Sequence, residues 1–457
     1  MIIRYNAGDV YSEYCIMLDE NGTLLTPRDT YGNIYGISSV SGRNDSEFYA
    51  ASGEAVIKVS DDEEFGYLPL VALMNDKGQQ LTDFAYTSLT HYPGENIIVF
   101  STDNNLLGAM DESGNILLPQ KYISLVPNGQ GGFLGSVCPE GGKYEYDKAY
   151  PLMYIDEKGR AFDTGYMAMP YGVYAFSEGF CSVTMNYEMD GASNVYLDFE
   201  GTNIFGKTYG WTESFYGNYA MIFDPTCGLY GLIDKTGAWA LPPEYSTIDS
   251  GVYYDTGTYL ACTETYAVLL DAYDLHEICR IDFADTGVNY AWLSGKDFIS
   301  ASGENITCIY SSDGAMITCG ANADISYLYT DSRPERVVQI DGQWPDYTST
   351  LKDLEGNTCG SPFQNLTPAT WLNGQGRYIF SNYDFVTEAD GQRYPDWATY
   401  RFGLCDENGN ILLEPIYTSL DTLSPNRYWV RLGSRKGLID DSGNWLYTID
   451  DYEYLMD

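Results

Sequence analysis

The chain has 457 residues, 44% of them hydrophobic and 15% aromatic, which is enough apolar material for a large core and excludes a disordered polymer. Lys and Arg number 24 against 65 Asp and Glu, a net charge of −41, so clustered cations for nucleic acid or anionic lipid are not available. No stretch approaches the ~18 apolar residues of a membrane span, and residues 1–30 lack a basic region followed by a long apolar one. No nucleic-acid partner and no membrane insertion are therefore expected, although a leader removed before residue 1 would leave the same sequence.

In chain order, one short pattern keeps returning. It begins as Leu18-Asp19-Glu20-Asn21-Gly22 and Met74-Asn75-Asp76-Lys77-Gly78, then sharpens to Leu107-Gly108-Ala109-Met110-Asp111-Glu112-Ser113-Gly114. Further copies are Ile155-Asp156-Glu157-Lys158-Gly159, Leu197-Asp198-Phe199-Glu200-Gly201 and Tyr230-Gly231-Leu232-Ile233-Asp234-Lys235-Thr236-Gly237. Two degraded copies follow at Leu270-Asp271-Ala272-Tyr273-Asp274 and Tyr310-Ser311-Ser312-Asp313-Gly314. Then come Lys352-Asp353-Leu354-Glu355-Gly356, Phe402-Gly403-Leu404-Cys405-Asp406-Glu407-Asn408-Gly409 and Lys436-Gly437-Leu438-Ile439-Asp440-Asp441-Ser442-Gly443. The full form is Gly, two apolar residues, Asp, two variable residues, Gly. About eleven units at roughly 34- to 56-residue spacing mean a repeat architecture.

Each copy reads as a β-hairpin with a three-to-five-residue loop. Asp can bond its own backbone two residues on, and the second Gly takes the positive φ of the turn. Apolar runs on both arms, such as Ile116-Leu117-Leu118 and Ile411-Leu412-Leu413, predict strands covered on both faces. A third strand is expected ahead of each hairpin: Ile97-Ile98-Val99-Phe100, Tyr174-Ala175-Phe176, Phe180-Cys181-Ser182-Val183, Tyr219-Ala220-Met221-Ile222 and Tyr428-Trp429-Val430-Arg431. The first Gly of the strong copies marks close approach of a neighbouring backbone or side chain. Eight residues after the second Gly a tyrosine recurs, at Tyr86, Tyr122, Tyr209, Tyr245 and Tyr417, so the unit is longer than one hairpin.

These residues resemble the WG-repeat family of bacterial proteins, whose unit reads Trp-Gly-apolar-apolar-Asp-x-x-Gly and then an apolar strand running into Pro and Tyr. Leu107, Tyr230, Phe402 and Lys436 stand in the Trp slot, while Leu241-Pro242-Pro243-Glu244-Tyr245 and Glu414-Pro415-Ile416-Tyr417 match the second half. With no Trp in that slot the chain is a divergent member. The resemblance spans most of residues 14–447 and is thinnest at 258–400. It implies tandem β-repeats, bacterial origin and binding or scaffolding, and it carries no catalytic residues.

The expected fold is all-β, with tandem three-stranded repeats in one or more propeller-like rings; an elongated β-solenoid is the alternative. Three regions are distinguished: 1–257 with family-like repeats, 258–400 with degenerate repeats and insertions, and 401–457 with family-like repeats again, which could form one continuous domain. Insertions around 320–345 and 357–400, including Asp331-Ser332-Arg333-Pro334 and the stretch from Asp384 to Trp397, interrupt the register.

Several motifs suggest chemistry and are better read as structure. Gly201-Thr202-Asn203-Ile204-Phe205-Gly206-Lys207-Thr208 has the phosphate-loop spacing, yet Gly201 is a turn glycine and the aromatic Tyr209-Gly210-Trp211 replaces the helix that would face an anion. Loops such as Asp19-Glu20-Asn21-Gly22 lack the later bidentate Glu of a calcium loop and are read as turns, and the run Asp61-Asp62-Glu63-Glu64 as solvated charge. The ten cysteines contain no C-x-x-C pair, so no zinc site is assigned; they are read as small buried residues, with Cys308–Cys319 the pair considered for a disulfide across a hairpin. His91 and His276 are read as loop or turn residues, and with sixty-five acids any carboxylate pair is uninformative about glycoside hydrolysis.

No cofactor, metal or catalytic residue is assigned. The candidate ligand contacts are Trp344, Trp371 and Trp397, aromatic residues within the insertions, because Trp offers rigid amphipathic area. The expected function is a non-enzymatic, monomeric scaffold binding a protein or glycan at a bacterial cell surface. An intracellular protein-recruiting module is the alternative, and a glycan-active hydrolase a remote third.

Overall fold

The computed structural model describes residues 1–6, 12–38, 47–53, 56–57, 70–102, 105–186, 193–254, 256–295, 298–304, 306–321, 324–327, 336–341, 345–346, 348–353, 355–369, 376–387 and 391–450. These form an all-β structure of small antiparallel sheets, with three short 3-10 turns at Gly251–Tyr254, Phe283–Asp285 and Trp397–Thr399. Two compact units are present: one of Ile2–Leu18 with Leu24–Ser246, the other of Thr247–Asp457 with Met1 and Asp19–Thr23.

Ten of the eleven sequence repeats fold as the expected turn, and the eleventh as a longer one. In the ten, the N–H of the second Gly donates to the carbonyl of the turn's first residue, which in turn donates to the residue four positions on; Asp111 does so with Gly114 and Asn115, Asp406 with Gly409 and Asn410. At Asp271 the turn is longer, its N–H bonding His276, because no Gly stands at the usual place. The Asp side chain locks the loop: one carboxylate oxygen of Asp111 accepts from Ser113 and Asn115, and Asp440 does the same with Ser442 and Asn444. Gly114 and Gly409 adopt φ of 84° and 76°, which explains why the position is Gly.

The first Gly also behaves as read. A Cβ on Gly403 would lie 2.5 Å from Cζ of Phe380 and 2.7 Å from the carbonyl of Leu413; on Gly437 it would lie 2.1 Å from the carbonyl of Tyr447. Only hydrogen fits where the neighbouring strand and ring close over the backbone.

Four-stranded meanders, rather than three-stranded ones, are the fullest form of the repeat. Thr247–Ser250, Thr258–Cys262, Tyr266–Asp271 and Glu277–Asp282 pair in sequence order, as do Ser419–Ser424, Arg427–Leu432, Arg435–Asp440 and Trp445–Asp450. Such up-and-down sheets are how propeller blades are built. The fourth strand comes from the segment after the register tyrosine. Tyr245 ends one sheet and Thr247–Ser250 opens the next; Tyr417 and Ser419–Ser424 repeat the arrangement. At Ile116–Pro127 the joint is a single strand, pairing with Leu107–Asp111 on one side of Tyr122 and with Phe133–Val137 on the other. The recurring spacing is therefore that of a joint between sheets. Tyr122, Leu89, Leu125, Ile248 and Leu420 are all buried there.

Two expectations fail for physical reasons. Tyr174-Ala175-Phe176 is not a strand: a tight turn at Glu178 and Gly179, both with positive φ, closes Ser177 directly onto Phe180, and only isolated bridges precede it. The apolar runs after the turns are not covered on both faces. Ile116, Leu117, Ile411 and Leu412 are exposed, since they lie on strand segments paired along one side, while a register shift turns Leu118 and Leu413 into the core. Core is instead concentrated on central strands, such as Ile97–Ser101, which is buried throughout.

Candidate ligand-binding site

The strands Arg377–Asn382 and Arg401–Asp406 are hydrogen-bonded neighbours, paired from Arg377↔Asp406 to Asn382↔Arg401. The equivalent connection is short in two other repeats, residues 225–228 and 433–434, and longer at 53–70 and 185–193. Here residues 383–400 intervene, and they build a feature that the repeat does not require.

The insertion holds itself in shape. Phe385–Thr387 pairs with Arg393–Pro395, and Asp396 N–H donates to the carbonyl of Asp384 at 2.8 Å. Asp384 N–H donates to Thr399 Oγ1 at 2.8 Å, and a carboxylate oxygen of Asp396 caps the 3-10 turn by accepting from Ala398 N–H at 3.1 Å. The Arg393 guanidinium lies 4.3 Å from the centre of the Phe385 ring and pairs with Asp346 at 2.9 Å.

Three aromatic rings stack in series across this frame. Tyr383 lies on Tyr400 with ring centres 4.4 Å apart and planes 11° from parallel, and Tyr400 on Trp397 at 5.0 Å and 11°. Tyr383 is 6% exposed and Trp397 77%, so the series runs from the core to solvent and ends in an open indole. Offset stacks of this kind fix ring orientation before a ligand arrives.

Beside the rings is a cleft of ≈ 550 Å³, lined among others by Phe363, Gln364, Tyr383, Asp384, Thr399 and Arg401. Its polar groups are held in place. The Gln364 side chain donates to the carbonyl of Tyr383 at 3.0 Å and accepts from Tyr383 N–H at 2.9 Å, and Arg401 Nη1 donates to the carbonyls of Ala398 and Tyr400. Asp384 is the one carboxylate among the described residues lining the cleft, so the paired acids of glycoside hydrolysis are not assembled there. In the strands below, burial pushes the Cys405 thiol up to about 12 and raises the Tyr378 phenol, which keeps both neutral and unreactive at physiological pH.

Of the three tryptophans singled out by sequence, Trp397 stands at this site, whereas Trp344 and Trp371 lie outside the described residues. Tyr383, Tyr400, Asp384 and Arg401 were not singled out. Tyr383 and Tyr400 bracket the register break, and that bracketing was the signal that could have found them.

The other motifs settle into structural roles. Gly201 has φ 85°, Lys207 Nζ donates to the carbonyl of Gly237 at 2.8 Å, and Phe205 and Tyr209 pack with Tyr196 and Phe215, so the phosphate-loop string is a turn and its hydrophobic anchor. Asp19 spends a carboxylate oxygen on the N–H groups of Asn21 and Thr23, as a turn does. Asp61-Asp62-Glu63-Glu64 lies outside the described residues. Cys15, Cys181, Cys262, Cys279 and Cys405 are buried thiols, Cys227 is exposed, and Cys308 and Cys319, directly opposed in adjacent strands, are joined in a disulfide. His276 lies in a turn as read, but His91 does not: it is buried on the strand Ser88–Tyr92.

The family model for the WG containing repeat matches residues 230–250 and 402–435. No curated protein matches the chain in sequence. Solved structures that it resembles include BamB from Moraxella catarrhalis (10% identity, 66% of this chain and 94% of that one, TM-score 0.29). Others are a eukaryotic initiation factor (11%, 83% and 93%, TM-score 0.37) and the C-terminal WD40 domain of Sif2 (11%, 71% and 96%, TM-score 0.31).

Proposed function

We propose that this chain, in which residues 230–250 and 402–435 match the WG containing repeat, is a non-enzymatic binding scaffold whose inserted aromatic series contacts a glycan. The observation that carries the reading is the open indole of Trp397, held by Tyr400 and Tyr383 beside a cleft lined by Gln, Asp, Thr and Arg side chains. The apolar C–H face of a sugar ring stacks on such an indole, while planar amide, carboxylate and guanidinium groups bond its hydroxyls. Repeat positions are committed to turns and core, which leaves the insertion as the variable binding element.

The proposed location is a bacterial cell surface. The Cys308–Cys319 disulfide supports an oxidising compartment, and the tyrosine-rich, acidic composition supports an exposed adhesive surface. A glycan array probed with the full chain and with Trp397→Ala tests the proposal. Binding to one glycan class that falls about 10-fold or more in the variant is expected. No glycan bound, or equal binding by both proteins, would overturn it; a protein captured from bacterial lysate only by the unsubstituted chain would replace the glycan with a protein partner.

A further inference from the structure

His91 is 1% exposed, and the strand that carries it is anchored by its N–H donating to the carbonyl of Ile37 at 2.6 Å. Its ring meets the edge of Phe48, centres 4.8 Å apart, so the imidazole has little freedom to turn. Nε2 lies 2.9 Å from Oε1 of Glu112, which projects from the turn after Leu107–Asp111. Glu47, immediately before the strand Phe48–Ser52, brings a third group, and one ligand atom from each of the three lies within 4.8 Å of the others. All three residues belong to the unit of Ile2–Leu18 and Leu24–Ser246.

We infer that Glu47, His91 and Glu112 bind a divalent transition-metal ion of the zinc class. The donor set is one imidazole nitrogen and two carboxylates, which suits zinc and its neighbours and is a poor match for calcium or magnesium, which take oxygen alone. Three protein ligands leave a fourth position for water or a ligand donor. Donor atoms about 2.0–2.2 Å from a tetrahedral ion stand roughly 3.4 Å apart, so the His91–Glu112 contact of 2.9 Å opens slightly while Glu47, in a group whose donor atoms lie within 4.8 Å of one another, closes in. The exposed Glu47 side chain can make that movement while the buried imidazole stays fixed. A cation also relieves the repulsion of two carboxylates in a chain of net charge −41.

The second acid–histidine group, Asp271, Asp274 and His276, lacks this construction. His276 and Asp274 are exposed, and Asp274 already accepts from the backbone N–H of His276 and meets its ring at 2.6 Å. It is a self-satisfied turn.

Cobalt(II) titrated into the full chain, read by visible d–d absorption, tests the inference independently of the glycan reading. One equivalent with the intense visible bands of four-coordinate cobalt is expected, displaced by zinc and not by millimolar calcium or magnesium, since octahedral cobalt bound diffusely to exposed acids absorbs only weakly. Glu47→Gln, an exposed substitution that leaves the core untouched, should weaken cobalt by at least about 10-fold, and His91→Gln should abolish the bands. Absence of the intense bands in the unsubstituted chain, unchanged affinity in Glu47→Gln, or loss of the intense bands in Asp274→Asn instead would overturn it.

Discussion

Arg427, in the last repeat, donates through Nε to the main-chain carbonyl of Glu20, in the turn of the first. Gly22 of that turn, at φ 82°, lies against Leu446, where a Cβ would come 2.7 Å from the carbonyl oxygen. Neighbouring repeats make the same kind of contact. The turn glycine of one meets the repeat before it, Gly78 meeting Leu25, Gly114 Thr82, Gly201 Thr164 and Gly356 Ile317. Repeat stability is a sum of such neighbour terms, and an uncovered terminal repeat lacks one of them.

Gly22→Ala therefore combines two costs: a left-handed φ that disfavours a side chain, about 1–2 kcal/mol, and a clash with Leu446 of about 1–3 kcal/mol. Gly94, at φ 86° with nothing within 4 Å of a built Cβ, isolates the first cost. Urea unfolding should show Gly22→Ala losing more stability than Gly94→Ala. Equal losses would mean that the contact between first and last repeats contributes nothing.

Trp397→Ala removes an exposed ring, so its effect on unfolding should stay within about 0.5 kcal/mol while ligand affinity falls. Tyr383→Ala removes the buried end of the same series and should cost about 3 kcal/mol or more. A Trp397→Ala protein with a strongly lowered melting temperature would make the indole a structural residue.

The turn carboxylates predict a pH response. Asp111 is held below the usual carboxylate range by the Asn115 side chain and then by backbone N–H groups, Asp234 by the Thr236 hydroxyl, and Asp19 by the Thr23 backbone. Depressed values of this kind stabilise the fold fully above the unfolded pKa of about 3.9 and lose that contribution as pH falls through the folded value. Asn75 occupies the same turn position and accepts the same two N–H bonds without titrating. Asp111→Asn should therefore change the melting temperature little at pH 7 and reduce its fall between pH 5 and pH 2, as followed by circular dichroism. An acid limb identical to that of the unsubstituted chain would remove the turns from the explanation.

Tyr428 is fully buried, and its hydroxyl has no hydrogen-bond partner among the described residues. Deleting a buried, unpaired hydroxyl without changing shape is neutral or favourable, so Tyr428→Phe should hold or raise stability by up to about 1 kcal/mol. Differential scanning calorimetry of the pair checks this, and a clear loss of stability would reveal a bound water or partner at that oxygen.

The sequence alone determined the local grammar. Asp-x-x-Gly turns, the glycine crossed by its neighbour and the class of fold were all legible, because a tight turn and a Cβ-free contact are set by a few adjacent residues. Its second half was legible only as a spacing. That Tyr245 and Tyr417 stand at joints between sheets depends on strand pairing, and that Ile411 faces water while Leu413, two residues on, faces the core depends on the register shift between them; no residue encodes either by its type. The same limit applies to the sites. Trp397 could be picked from its insertion, but its stack with Tyr400 and Tyr383 required the chain to leave and rejoin two paired strands. His91 had the look of a loop residue beside Pro93, and Glu47 and Glu112 were two acids among many. Pairing across three separate strands and turns brought them together, and long-range pairing is the one quantity that only the tertiary structure decides.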